Sequence, residues 1–77
     1  MKKIKILGPG CPKCETLFKF ADEAARDMGV EFEIEKVKDI QEIMKYGVMM
    51  TPGLVIDEKV VSVGKVLTAD KIKKFLI

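Results

Sequence analysis

The segment Gly8-Pro9-Gly10-Cys11-Pro12-Lys13-Cys14 constrains this chain more than any other, because it holds both cysteines between a short apolar run and a long helical pattern. Gly-Pro-Gly breaks a strand and turns the chain. Pro12 suits the first position of a helix, where its missing N–H costs no hydrogen bond and its fixed φ is already helical. A strand over Lys2 to Leu7, a turn and a helix opening on Cys-x-x-Cys place a thiol at a helix N-terminus. There the macrodipole and the unpaired N–H groups favour a thiolate.

The spacing separates the two sulfurs. At about 100° per residue, Cys14 shares a helical sector with Leu17, Ala21 and Met28 and is expected to face inward, whereas Cys11 lies at the cap. One exposed thiol at a positive helix end and one shielded thiol a turn away are what an attacking and a resolving cysteine require. Cys11 would attack a substrate disulfide, and Cys14 would then attack Cys11 and expel the reduced substrate. Gly10, Pro12 and Lys13 belong to this loop, and Lys13 brings a positive charge that would favour the thiolate.

Composition narrows the alternatives. With 77 residues, 48% apolar and 34% charged, the sequence reads as one compact domain spanning residues 1–77. Basic residues outnumber acidic ones by only two and form no stripe for nucleic acid. No stretch approaches the roughly 20 apolar residues of a membrane span. The basic start is cut by Lys5 and reads as a strand, so the protein is expected in the cytoplasm, acting as a monomer. A reducing compartment favours a catalytic or metal-binding pair of cysteines over a structural disulfide.

Periodicity supplies the remaining elements. Ile4 and Ile6 alternate with Lys3, Lys5 and Leu7 in the first strand. The first helix runs from about Pro12 to about Met28, with Leu17, Phe18, Ala21, Ala24, Ala25 and Met28 on its apolar face and Gly29 as its stop. Val30, Phe32 and Ile34 alternate with glutamates in a second strand. Asp39 and Glu42 form a capping-box pattern before a short helix with Ile40, Ile43 and Met44 as its apolar stripe. Thr51-Pro52 leads into a hairpin of two short strands, Gly53–Asp57 and Val60–Val63, turning at Asp57-Glu58-Lys59, and Thr68 caps a last helix whose inward face is Ile72, Phe75 and Leu76. The order is β-α-β-α-β-β-α. Met49 and Met50 read first as core filler and second as a groove lining, Tyr46 as half-buried with a wet hydroxyl, and Phe20 as a possible apolar rim around the thiols.

The Gly8–Cys14 motif after a first strand, with Thr51-Pro52 opening a hairpin and a helix closing the chain, resembles the thioredoxin fold in its small, glutaredoxin-sized form. The nearest resemblance is to the archaeal and bacterial thioredoxin-like redox-active disulfide proteins, and it spans essentially the whole chain. It implies an α/β fold with a four-stranded mixed sheet in the order 2-1-3-4, flanked by three helices. It also implies that Pro52 is cis beside the Cys-x-x-Cys and that Thr51 offers its backbone to an extended substrate. The residues alone leave Thr51-Pro52 open to reading as a simple turn before a strand, since only about 5–6% of X-Pro bonds are cis.

The resemblance further implies reduction of protein disulfides without a cofactor beyond the redox-active Cys11–Cys14 pair. Two departures stand out: Gly10 precedes Cys11 where thioredoxins carry Trp, and Lys5 stands where they keep a buried aspartate. Gly64-Lys65-Val66 lacks the glutathione-binding pattern of glutaredoxins, so a flavin-dependent thioredoxin-reductase-type partner is expected as reductant. A Cu(I) chaperone would need the order β-α-β-β-α-β and usually a Met where Pro9 stands. A zinc site has only two cysteines and no histidine to draw on, and no metal is expected. A redox-sensing binding module on the same fold stays open.

Overall fold

The computed structural model describes residues 1–10 and 12–76. Its elements are β1 (Lys2–Leu7), α1 (Pro12–Met28), β2 (Phe32–Val37), α2 (Ile40–Lys45), β3 (Gly53–Ile56), β4 (Lys59–Val63) and α3 (Ala69–Lys73). The strands form one sheet in the order β2-β1-β3-β4. β1 runs parallel to β2, from Lys2 opposite Phe32 to Leu7 opposite Val37, and antiparallel to β3, with Ile4 opposite Ile56 and Leu7 opposite Gly53. The parallel pair requires a crossover, and α1 provides it.

Alternation along the strands builds two cores. Ile4, Ile6, Leu54 and Ile56 point to one face and bury against Cys14, Leu17, Ala21, Ala24 and Ala25 of α1 and against Ile72 and Leu76. Leu7 and Val55 point to the other, where they meet Ile43 of α2 and Val48. Thus α1 and α3 cover one face and α2 part of the other. Three alanines on the buried face of α1 bring its backbone close to the sheet, and the fully buried Leu and Ile side chains contribute about 1.5–3 kcal/mol each.

The β3–β4 hairpin turns on Asp57 and Glu58, whose φ values of 51° and 68° give the left-handed two-residue loop that matches strand twist. Asp57 is held there because its carboxylate accepts from Lys3 N–H at 3.0 Å and from Lys2 Nζ at 3.2 Å. A register shift between Leu54 and Val55 bends the pairing with β4.

Several expected details differ. β2 begins at Phe32, two residues after Val30. Asp39 caps α2 by accepting from Gln41 N–H at 2.9 Å, but Glu42 pairs with Lys45 at 3.2 Å within its own helix. Only Ile43 of the expected α2 stripe is buried; Ile40 and Met44 stand 63% and 64% exposed because the helix covers too little of the sheet. Thr68 occupies the N-cap of α3 without a side-chain capping bond. That helix ends at Lys73, so Phe75 leaves the helical phase and is 44% exposed while Ile72 and Leu76 stay buried.

Candidate active site

Gly8 closes β1 at the centre of the sheet, its N–H donating to Val37 O at 2.9 Å. The chain then leaves the sheet through Pro9 and Gly10, both exposed. Gly10 has φ +99°, a conformation that side chains disfavour and glycine adopts freely. Pro12 and Lys13 open α1 and are exposed, and Thr16 Oγ1 donates back to Pro12 O at 3.0 Å. Cys11 lies outside the described residues. Cys14, one turn into the helix, is buried at 4% exposure on the α1 face that meets the sheet.

Three parts of the chain converge at Gly8. A β-carbon built there would overlap Cys14 Sγ and lie 3.7 Å from Thr51 Cβ. The strand end, the second cysteine and the loop before β3 therefore share one point. The Thr51–Pro52 peptide bond is cis. Pro52 is buried while Thr51 is exposed, and Pro52 O accepts from Gly64 N–H at 2.8 Å, tying this loop to the end of β4.

Beside this point runs an apolar groove of about 330 Å³ lined by Pro9, Ile40, Ile43, Met44, Val48, Met49 and Thr51. The reading of Met49 and Met50 as core filler is overturned: they are 92% and 64% exposed, because the 46–52 segment carries them past the end of α2. Phe20 goes the other way and packs half-buried against the main core. No apolar alternation marks such a groove in sequence. It arises from an exposed stripe on α2 meeting an exposed loop.

Charge near the first turn of α1 is managed in pairs. Glu15, next to Cys14, would oppose a thiolate, but Lys36 of β2 donates to both its oxygens at 2.7 and 2.8 Å. That hydrogen bond, more than the weaker attraction of Lys38 and Lys19, holds the Glu15 carboxyl below its usual range. Lys36 also lies over the Phe18 ring, 4.8 Å from its centroid. Reading the sequence missed this pairing, since nothing local links residues 15 and 36.

Lys5 sits on the α2 face, opposite the face that receives Cys14. Its Nζ donates to Tyr46 Oη at 2.7 Å and lies 3.3 Å from Glu58 and 3.9 Å from Glu35. The Tyr46 hydroxyl in turn donates to Glu58 at 3.3 Å, so it is tied into the protein and not simply wet. The hydrogen bonds to Tyr46 and then Glu58 raise the Lys5 pKa well above the ordinary lysine value. The residue is a fixed cation in a surface network. Among the described residues no group of three or more His, Cys, Asp or Glu could hold a metal ion.

A mixed sheet in the order β2-β1-β3-β4, a buried cysteine in the first turn of the first helix and a proline loop meeting it at Gly8 define a thioredoxin-fold protein. A family model described as a thioredoxin domain matches residues 2–77. The chain is 40% identical over 76 residues to a thioredoxin of Methanothermobacter thermautotrophicus, an alignment covering 99% of each chain. It is 38% identical over 76 residues to a thioredoxin of Methanocaldococcus jannaschii, covering 99% of this chain and 87% of that one. A second thioredoxin of that organism is 33% identical over 85 residues. The chain belongs to the thioredoxin family, and oxidoreductase chemistry in general terms comes with that membership.

Proposed function

We propose that the protein reduces disulfides in protein substrates through Cys11 and Cys14. The observation that carries this reading is the convergence of Cys14 Sγ, Gly8 and Thr51 at one point. Cys11, immediately before the first residue of α1, attacks one sulfur of the substrate disulfide as a thiolate. The substrate S–S bond breaks, and the departing sulfur takes a proton. Cys14 then attacks the Cys11 sulfur, forming the Cys11–Cys14 disulfide and releasing the second substrate thiol. Two electrons pass from the dithiol to the substrate, and a flavoprotein reductase of the thioredoxin-reductase type returns them.

In this reading Gly10, Pro12 and Lys13 shape and charge the attacking end, and Thr51 and Pro52 present backbone to the substrate segment. The apolar groove beside Thr51 supports a polypeptide substrate over a small polar thiol, because its side chains offer apolar contact along an extended chain. The protein works as a cytoplasmic monomer without a bound cofactor. Cu(I) carriage is not favoured: the element order is β-α-β-α-β-β-α, not that of the copper chaperones.

Alkylation of the reduced protein across pH, with each cysteine followed by mass, tests the proposal. Cys11 is expected to titrate well below the ordinary thiol value of about 8.5 and to react faster than Cys14. Equal reactivity, with Cys11 titrating near that ordinary value, would defeat it.

A further inference from the structure

A second groove, of about 470 Å³, runs between β4 and α3 and is lined by Val61, Ser62, Val63, Lys65, Leu67, Lys71, Lys74 and Phe75. Its floor is apolar and its rim basic. Val63 and Phe75 are 40% and 44% exposed. None of the lining residues is acidic, and among the described residues no carboxylate pairs with Lys65, Lys71 or Lys74, whereas Lys73 on the other side of α3 is paired with Asp27 at 3.3 Å.

The sequence concentrates charge here. From residue 59 onward Lys59, Lys65, Lys71, Lys73 and Lys74 stand against Asp70 alone, while acids outnumber bases before it. β4 is also an edge of the sheet, with β3 on one side and no described strand on the other. An edge strand offers a row of backbone donors and acceptors to an extended chain.

We propose that this groove docks an acidic segment of a partner protein, extended along β4, with apolar side chains against Val63 and Phe75 and carboxylates against Lys65, Lys71 and Lys74. Charge selects the occupant. A second copy related by a two-fold axis would set lysines against lysines, which costs association. A nucleic acid would find too few cations and an apolar floor without stacking aromatics other than Phe75. The groove reaches the redox loop through the Gly64–Pro52 hydrogen bond, so a partner seated there holds its next residues beside Thr51. Naming that partner as a redox partner rests on the proposed function; the binding itself does not.

The test is titration of the isotopically labelled protein with a short synthetic peptide alternating glutamate with valine, blocked at both ends, followed by amide chemical shifts. Saturable shifts are expected at Val61–Lys65 and Lys71–Phe75. Binding should weaken when salt is raised from about 20 to about 500 mM and roughly fivefold or more in Lys71→Glu/Lys74→Glu. Lys19→Glu/Lys38→Glu, with the same charge change elsewhere, should bind as the parent does. Should the double variant fold poorly, the salt response of the parent decides alone. Shifts confined to the Pro9–Met49 groove, equal binding of a lysine–valine peptide, tighter binding of single-stranded DNA, self-association, or no saturation would each overturn the proposal. No thiol takes part, so failure here leaves disulfide reduction untouched.

Discussion

Gly8 and Cys14 stand so close that only a residue without a side chain fits at position 8: a β-carbon there would overlap the Cys14 sulfur. The second cysteine is thereby seated against backbone at the end of the central strand β1.

Gly8→Ala should therefore both destabilise the protein and disturb the thiols. The neighbour is a buried helical side chain with little room to retreat, so overpacking should cost about 1–3 kcal/mol. Urea unfolding of the reduced protein reads the first effect and alkylation of Cys14 the second. An unchanged midpoint would show that Cys14 yields freely.

Cys14→Ser should trap the intermediate. With the proposed resolving sulfur gone, mixed disulfides through Cys11 should accumulate on a protein disulfide substrate and turnover should stop. Intact mass of the adduct, reversed by a small thiol, checks the outcome.

Met44 and Met49 should matter for substrates more than for stability. Both are mostly exposed and line the groove beside Thr51, so Met44→Gln/Met49→Gln should leave the unfolding midpoint nearly unchanged. Losing about 1 kcal/mol of apolar contact should raise KM for a protein disulfide roughly fivefold. An unchanged KM would place the substrate elsewhere.

Lys5→Gln should separate stability from thiol chemistry. The lysine ties Tyr46 to Glu58 on the face opposite Cys14, so its loss should lower the urea midpoint and leave the alkylation pH profile of Cys11 unmoved. Because the folded pKa of Lys5 is raised, its contribution is complete below the ordinary lysine pKa and is lost only as pH climbs through the folded value. A shift in the thiol profile would instead give Lys5 a part in proton handling.

Asp57 should contribute to acid unfolding. The Lys3 N–H, and after it Lys2, hold its carboxyl below the usual aspartate range. A depressed carboxylate stabilises above its unfolded pKa, about 4, and that stability disappears as pH falls through the folded value. Asp57→Asn, which tolerates the left-handed φ, should lie below the parent in urea midpoint at about pH 6 and converge on it as the pH falls below the folded value.

Much of the fold was legible because its signals are local. The α1 limits, Pro12 and Met28, follow from proline at the start and Gly29 at φ +68°. The inward phase of Cys14 follows from 3.6-residue spacing, and the strand order came with the family resemblance. The misread details are those where a pattern's partner is distant. Ile40 and Met44 have the spacing of a core stripe, yet α2 spans only Ile40–Lys45 and leaves them in water. Phe75 has helical spacing from Ile72, but α3 stops before it.

The sequence by itself determined the turn and the start of α1, on which the proposed thiol chemistry depends: a glycine-proline turn, a proline at the first helical position and a helix start are properties of neighbouring residues. Tertiary structure decided what surrounds it. The meeting of Gly8, Cys14 and Thr51, the pairing of Glu15 with Lys36, the removal of Lys5 to the opposite face and the two grooves all join residues far apart in the chain. Sheet register and helix length set those distances, and neither is written in any single stretch of sequence.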